Sequence, residues 1–441
     1  MLRENNPVEQ RLREKVRKKT ATVAIVGLGY VGLPLAVEFS KVGFTVLGID
    51  VDRSKVKTLL RGHSYIEDVT AEAVHENVRK RIFKPTTRFE LLKEADAVII
   101  CVPTPLNRVK EPDLSYILSA TAQISKCLHR GQLVILESTT YPGTTDEVIL
   151  PELRKSRFKV GHDFFLCFSP ERIDPGNKKF PVPTIPKVVG GVTPACTRLG
   201  SLLYGEVFNR VIPVSSARTA EMTKLLENTF RIVNIGLVNE LATVAGSLGV
   251  NIWEAIEAAS TKPFGFMPFY PGPGVGGHCI GIDPIYLSWK AKIHGFNIRS
   301  IELAREINAN MPRYVVERAQ RELVQKQKKA INQASILIVG VSYKKDVGDT
   351  RESPAFEVVE YLHELGAKVA YHDPYVPKVD LPSIQLRSKA LIESEIKRYD
   401  MVLILTDHSS VDYAMLLKAS KLIFDVRNVM KRFSAKKVVK L

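Results

Sequence analysis

The alternation of apolar and polar stretches sets the first expectations. Thr22 to Val26 is a short, β-branched-rich apolar run of the kind that forms a strand buried on both faces. A glycine turn, a helical stretch through Ser40 and a second apolar run, Phe44 to Ile49, follow it and read together as a βαβ unit. Strand-like runs recur at Ala97 to Val102, Leu133 to Glu137, Phe164 to Phe168 and Lys187 to Val189. Helical stretches separate several of them, which predicts an open, mostly parallel sheet over residues 20–210. Ahead of that sheet, Val8, Leu12 and Val16 stand at helical spacing in a basic arm, either a short amphipathic helix or a partly ordered extension.

The pattern changes after Ser215. From there to Leu248 the chain is helical in character, with Met222, Leu225, Leu226, Phe230, Val233 and Leu237 forming an apolar stripe. A shorter helix is expected at Ile252 to Ala259, then a proline- and glycine-dense loop, Lys262 to Gly281, whose length next to long helices points to function. Ser300 to Gln327 is helical again, and the basic stretch to Lys329 reads as a linker. A second nucleotide-type unit begins at Ser335, with strands at Ile336 to Val339, Lys368 to Tyr371, Met401 to Leu405 and Leu422 to Val426 and a helix from Pro354 to Leu365. The predicted class is α/β: two Rossmann-like doubly wound domains joined by a long central helix and a helical middle region. The expected division is a basic arm over 1–20, a first Rossmann-like domain over 21–210, a central helical domain over 211–325 and a second Rossmann-like domain over 330–441.

A length of 441 residues suits two or three domains, and 45% hydrophobic residues suits sizeable cores. No apolar run reaches the roughly 18 residues of a membrane span, and the first twenty residues carry charge throughout, unlike a secretory signal. Cys101, Cys127, Cys167, Cys196 and Cys279 make neither a disulfide framework nor a C-x-x-C pair, so a reducing, cytoplasmic location is expected. The net charge of +16 is concentrated in Arg11 to Lys19, Lys326 to Lys329 and Lys436 to Lys440, which read as solvated helix faces or frayed ends. Base and aromatics are not interleaved as in a nucleic-acid surface, so neither nucleic acid nor membrane is expected as a partner. The histidines show no ligand spacing, and no metal is expected.

Gly27-Leu28-Gly29-Tyr30-Val31-Gly32 follows the first predicted strand and opens the first helix. Gly27 permits the tight turn, Gly29 lets backbone approach a pyrophosphate and Gly32 allows close helix–strand packing, while the helix N-terminus offers free N–H groups. Asp50 ends the next strand, where a carboxylate accepts the ribose hydroxyls and repels a 2′-phosphate, favouring NAD. Arg53, three residues on, leaves NADP open.

Six further stretches extend the pattern: Cys101-Val102-Pro103-Thr104-Pro105, Glu137-Ser138-Thr139-Thr140-Tyr141-Pro142-Gly143-Thr144, Ser169-Pro170-Glu171-Arg172, the Lys224 and Asn228 pair, Gly276-Gly277-His278-Cys279 with Asp283, and Tyr343-Lys344-Lys345-Asp346 through Arg351-Glu352-Ser353-Pro354. With the glycine turn, these make the chain resemble the UDP-glucose/UDP-mannosaminuronate-type nucleotide-sugar 6-dehydrogenases over nearly its whole length. The stretch from Lys262 through Phe269, Tyr270 and Gly274 looks like the branch acting on UDP-N-acetylglucosamine, although Gly281 stands where that branch commonly has proline. UDP-N-acetylmannosamine and UDP-glucose remain alternative substrates.

The resemblance implies a four-electron oxidation of an alcohol to an acid, with Cys279 as a thiolate that traps the aldehyde and then carries a thioester. A cysteine among glycines is also approachable by backbone N–H groups that lower a thiol pKa. Lys224 and Asn228, four apart, share one helix face and can meet one developing oxyanion. Glu171 and Asp283 are implied to move protons, with Thr139 holding the hydrolytic water. Alone, each of the two reads first as a helix cap or surface charge, Asp283 before Pro284 as the cap of the helix after it. NAD is implied to lie against Gly27, Gly29, Tyr30, Val31, Gly32, Asp50, Arg53, Pro103, Thr104 and Thr139. The sugar nucleotide is implied to meet Glu171, Arg172, Lys224, Asn228, Lys262, Phe269, Tyr270, Gly276, Lys345 and Arg351, and a homodimer or larger homo-oligomer is expected. His278 is read as structural or as a hydrogen-bond donor. Two rivals stay open: a two-electron dehydrogenase of the 3-hydroxyacid type, which needs no cysteine, and a non-catalytic NAD-sensing or nucleic-acid-binding protein.

Overall fold

The basic arm folds as a helix, α1 (Pro7–Arg17), because Asn6 accepts from the Val8 N–H (3.0 Å), Pro7 fits the first turn, and Leu12 and Val16 face inward. Arg198 grips Glu9 with two bonds (3.0 and 2.9 Å) and Lys15 pairs with Asp96 (2.6 Å), so much of this basic run is packed and paired. The computed structural model describes residues 6–66, 68–107, 109–174, 180–433 and 435–441, with the backbone alone at His278 and Cys279.

The chain folds as two compact units. The first runs to Glu227 and includes Ile285–Gly295. After α1 it contains β1 (Thr22–Val26), α2 (Gly32–Lys41), β2 (Thr45–Ile49), α3 (Arg53–Leu60), α4 (Ala71–Arg79), β3 (Phe83–Thr86) and β4 (Ala97–Ile100). Then come α5 (Ser115–Cys127), β5 (Leu133–Leu136), α6 (Leu150–Leu153), β6 (Phe165–Phe168), β7 (Lys187–Gly191), α7 (Pro194–Gly205) and β8 (Val211–Val214). The sheet order is β3-β2-β1-β4-β5-β6-β7-β8, with every pair parallel except β6 and β7. Its first six strands follow the dinucleotide-binding order, with the reversal of direction of growth between β1 and β4. The interior strands are fully covered, Val23, Ile25, Ile99 and Ile135 among them, each worth about 1.5–3 kcal/mol of apolar burial. The two edge strands escaped the sequence pattern because each carries a proline, Pro85 in β3 and Pro213 in β8, and proline is tolerated only where no neighbour needs its N–H.

The second unit, Asn228–Pro284 with Phe296–Leu441, contains α9 (Ile252–Ala259), α11 (Arg299–Glu322), β9 (Ser335–Val339), α12 (Pro354–Glu364) and β10 (Lys368–His372). A hairpin, β11 (Lys378–Asp380) with β12 (Gln385–Arg387), then α13 (Glu393–Ile396), β13 (Met401–Ile404), α14 (Tyr413–Ala419), β14 (Ile423–Asp425) and β15 (Val438–Lys440) complete it. Its all-parallel sheet has the order β10-β9-β13-β14-β15. Two further helices, α8 (Ala217–Leu248) and α10 (His278–Ile293), each have residues in both units.

Four expectations need correcting. The C-terminal basic run is not a frayed end, since Val438 to Lys440 pair with Ile423 to Asp425 as a sheet edge. The stretch to Lys329 is not a plain linker: α11 continues into a π-helical turn, Leu323–Gln327, and Lys329 pairs with Asp400 at 2.6 Å. Of the apolar stripe on α8, only Leu225 is buried; Met222, Leu226, Phe230 and Leu237 face outward, while Glu221, Lys224, Asn228 and Asn239 face inward. Finally, the helix after the proline- and glycine-dense loop begins at His278 instead of after Pro284. Gly277, at φ +82°, turns the chain into it, and Pro284 lies inside, so Asp283 is no cap. Among the described residues no helix is long and apolar enough to cross a membrane.

Candidate active site

The turn after β1 is shaped by two glycines that admit no side chain. A Cβ on Gly27, at φ +95°, would lie 2.5 Å from the Cys101 carbonyl oxygen, and one on Gly32 would lie 1.8 Å from the Gly27 carbonyl oxygen. Gly29 differs, because nothing approaches its missing Cβ within 4 Å. The result is an open backbone cradle at the N-terminus of α2, the geometry that accepts a pyrophosphate. Asp50 is buried and its carboxylate already accepts from the N–H groups of Leu28 (2.9 Å) and Asp52 (2.9 Å), with Lys55 Nζ at 3.5 Å. It therefore braces the glycine turn, and only its remaining lone pairs are available to a further donor. Tyr30 and Arg53 are exposed and Val31 precedes α2. Pro103 is exposed, and Thr104 is buried, with its carbonyl accepting from Tyr286 Oη at 2.9 Å. The cradle, the anchored acidic residue and the free helix terminus fit an NAD dinucleotide.

At the ends of β5 and β6 the first unit buries a charged cluster. Glu137, Glu171 and Lys187 are each at most 9% exposed. Lys187 Nζ contacts Glu137 Oε1, lies 3.6 Å from Glu171 Oε2 and donates to the Pro170 carbonyl at 3.3 Å. Glu171 Oε1 accepts from the Ile173 N–H, while its Oε2 takes no hydrogen bond among the described residues. Burial pushes the Glu171 carboxyl up and pulls the Lys187 ammonium down to about 7. Lys224, on α8, donates to the Glu171 carbonyl at 2.6 Å, and Arg172 reaches Glu227 at 2.7 Å and the Pro186 carbonyl at 2.7 Å. Glu137 appeared in the sequence only as part of a motif, and Lys187 only as the start of an apolar run.

Thr139 is half-buried, just past β5. The following loop is pinned by a residue that sequence reasoning missed. Glu221, fully buried on α8 one turn before Lys224, accepts from the N–H groups of Gly143 (2.6 Å) and Thr145 (2.9 Å) and from the Thr145 hydroxyl (2.7 Å). Burial raises its carboxyl to about 7.

In the second unit Asn228 and Asp283 are both buried, and Asn228 Nδ2 donates to Asp283 Oδ2 at 2.5 Å. Cys279 precedes Asp283 by four residues on α10, so the two share a helix face. The sequence reading put Cys279 in a glycine-rich loop, but its backbone is already in the first turn of α10, because the glycines end at Gly277. The side chains of Cys279 and His278 lie outside the described residues. Gly277 donates its N–H to the Arg351 carbonyl at 2.9 Å, and a Cβ on Gly276 would lie 2.6 Å from Tyr343 Cβ, so the loop before α10 packs on the loop after β9.

The predicted substrate contacts of this unit divide into two groups. Phe269 packs edge-on against Phe230 (5.5 Å) and Tyr270 stacks on Trp253 (5.9 Å), while Lys262 lies over the Phe264 ring (5.0 Å). Lys345 lies 3.9 Å from Asp407, and Arg351 holds Asp349 through two bonds of 3.0 and 2.6 Å. Both cations thus have carboxylate partners. The Lys345 loop is anchored by buried His408, whose Nε2 meets Asp373 at 3.0 Å and whose Nδ1 accepts from the Asp346 N–H at 3.0 Å.

Three family models match the chain in order: the NAD binding domain of the UDP-glucose/GDP-mannose dehydrogenase family over residues 21–208, its central domain over 218–310 and its UDP binding domain over 337–432. The chain belongs to the UDP-glucose/GDP-mannose dehydrogenase family. It is similar to a UDP-N-acetyl-D-glucosamine 6-dehydrogenase of Salmonella typhi, 37% identical over 92% of this chain and 96% of the relative. It is also similar to a UDP-N-acetyl-D-mannosamine dehydrogenase of Pyrococcus horikoshii, 36% identical over 93% and 96%. The solved structure of the Pyrococcus horikoshii UDP-D-ManNAc dehydrogenase superposes with a TM-score of 0.85, at 35% identity over 95% of this chain and 98% of that one. As a member of the family, the protein is an NAD-dependent UDP-sugar dehydrogenase, an oxidoreductase.

Proposed function

We propose that this dehydrogenase oxidises the C6 primary alcohol of UDP-N-acetylglucosamine to the carboxylate, giving UDP-N-acetylglucosaminuronate. The observation that carries the reading is the 2.5 Å Asn228–Asp283 bond on the helix whose first turn holds Cys279. Overall, one alcohol, two NAD⁺ and one water give one carboxylate, two NADH and three protons. NAD, held by the glycine turn and Asp50, would supply the hydride acceptor for each of the two oxidations. Cys279 holds the aldehyde as a thiohemiacetal and the acid as a thioester, so neither escapes, and a thiolate at a helix N-terminus is favoured by the free N–H groups. Lys224 and Asn228 supply N–H donors to the oxyanion that develops at the reacting carbon. Asp283, four residues after Cys279 on α10, exchanges protons in the reaction, and Glu171 takes one from the hydrolytic water, which Thr139 orients. Water attack then expels the Cys279 thiolate.

Lys345 and Arg351 serve the diphosphate by exchanging their present carboxylate partners for it. Arg172, Lys262, Phe269, Tyr270 and Gly276 complete the sugar-nucleotide site in this reading. Residues 21–210 would form the NAD-binding domain, 211–325 the central active-site and dimerisation domain and 330–441 the UDP-sugar-binding domain, in a cytoplasmic homodimer that covers the outward apolar face of α8. UDP-N-acetylmannosamine is the second reading, favoured by relatives named for it at similar identity.

The test is NADH formed per sugar consumed with UDP-N-acetylglucosamine, UDP-N-acetylmannosamine and UDP-glucose, for the wild type and Cys279→Ala. Two NADH per sugar, fastest with UDP-N-acetylglucosamine and absent in the variant, supports the proposal. One NADH per sugar with an unaffected variant overturns the thioester route, and faster turnover of another sugar overturns the substrate.

A further inference from the structure

β7 runs against its neighbour β6, pairing Cys167 with Gly191 and Phe168 with Gly190. Parallel strands deliver to the C-terminal edge of a sheet only the residues that follow them. A reversed strand delivers its first residue there, and the first residue of β7 is Lys187. It arrives between the residues that follow β5 and β6, in contact with Glu137 Oε1 and 3.6 Å from Glu171 Oε2.

The surroundings of this ammonium are otherwise poor in polar partners. Beyond the two carboxylates it has the Pro170 carbonyl, and the Tyr204 and Phe208 rings lie 5.1 and 5.3 Å from it. The Cys101 thiol stands 3.5 Å from Glu137 Oε2, and burial pushes that thiol up, so it adds no charge. Lys224 faces the same region, donates to the Glu171 carbonyl oxygen, and its charge also favours the ionised Glu171 carboxyl, so Lys187 acts there together with a second cation. A carboxyl this deep, left alone, takes up a proton. Glu171 Oε2 has no hydrogen-bond donor among the described residues, and Lys187 is the cation closest to that oxygen in the ion pairs of the cluster.

We propose that Lys187 is a positioning residue for thioester hydrolysis: its ammonium, shared between Glu137 and Glu171, keeps the Glu171 carboxylate ionised and aimed as the base for water, with Glu137 as the fixed counter-charge. This rests on the reading of Glu171 as that base. Glu137 neutralises Lys187 when the base has picked up its proton, so the cluster never holds an unpaired buried cation. Because burial brings the Lys187 ammonium down to about 7, the arrangement is sensitive to pH on both sides. Protonation of Glu171 stops hydrolysis at low pH, and loss of the Lys187 proton weakens the base's support at high pH.

The experiment loads the enzyme with NAD and UDP-N-acetylglucosamine and follows the Cys279 acyl-enzyme by intact-protein mass, with single-turnover hydrolysis measured from acid to alkaline pH. The variants are Lys187→Met, Lys187→Arg, Glu137→Gln combined with Lys187→Met, and Glu171→Gln. The double variant removes both buried charges together, and so keeps the question answerable if the single one does not fold. Lys187→Met and the double variant are expected to move the acid limb of hydrolysis upward by about one to three pH units, with acyl-enzyme accumulating below it, and Lys187→Arg to restore the wild-type limb. Glu171→Gln is expected to accumulate acyl-enzyme at every pH. A folded double variant with the wild-type acid limb and no acyl-enzyme overturns the role of Lys187 while leaving Glu171 standing. Normal hydrolysis in Glu171→Gln overturns the base itself, and the inference with it.

Discussion

Asn228 donates through Nδ2 to Asp283 Oδ2 at 2.5 Å, so the acid is held beside the helix face that carries Cys279 by an amide on α8. Both groups are buried, and losing a buried hydrogen bond of this kind costs about 1–3 kcal/mol. Asn228→Ala should therefore lower kcat by about 100- to 1,000-fold, the usual effect of removing one oxyanion donor, with the KM for NAD unchanged. Asn228→Asp should be worse, because it sets two carboxylates side by side. Steady-state kinetics with a thermal melt of each variant separates the chemical loss from the structural one.

The glycine turn offers a contrast between two alanines. Gly32→Ala drives a methyl into the Gly27 carbonyl, at 1.8 Å, and should prevent the first unit from folding normally. Gly29→Ala meets nothing within 4 Å and should leave the melting temperature within a few degrees of wild type while weakening NAD binding by about tenfold or more, as its methyl enters the space reserved for pyrophosphate. Fluorescence titration with NADH and a thermal melt decide both; equal losses of stability in the two variants would remove the distinction.

Glu221 makes stability depend on pH with a definite sign. Its folded carboxyl is raised from 4.5 to about 7, so the folded state binds the proton more tightly than the unfolded chain. Its contribution is fully present below pH 4.5 and is lost as pH rises through 7, by about 3 kcal/mol. Urea unfolding of the wild type and Glu221→Gln at several pH values should show the difference between them shrinking or reversing across that window. A difference independent of pH would contradict the assignment.

The sequence was most legible where backbone geometry dictates residue type. Gly27, Gly29 and Gly32 could be assigned separate roles because each answers a different steric demand, and β1 and β2 read cleanly because both are buried on both faces. The boundary at His278 was not legible. Glycines at 276 and 277 argue for loop, and Pro284 argues for a helix starting there; only the φ of Gly277 and the unbroken helix to Ile293 resolve the conflict. Glu221 and Lys187 were missed for another reason. A charged residue on a helix or at a strand start is ordinarily solvated, and nothing local to either residue reveals that its partners come from 78 and 50 positions away. The one available signal was position: Glu221 precedes Lys224 on the same face, and Lys187 leads a strand with no other polar side chain.

The fate of the predicted stripe on α8 has a consequence for how the protein tolerates change. On an ordinary surface helix the apolar positions are the intolerant ones and the charged positions accept almost anything. On α8 that order fails at eight positions, with Glu221, Lys224, Asn228 and Asn239 turned inward beside Leu225, Ile232 and Val238, and Met222, Leu226, Phe230 and Leu237 turned outward. A saturation scan read through hydropathy alone would rank those eight positions backwards. Leu226→Gln should pass a selection for the folded chain, while the chemically modest Glu221→Leu should fail it.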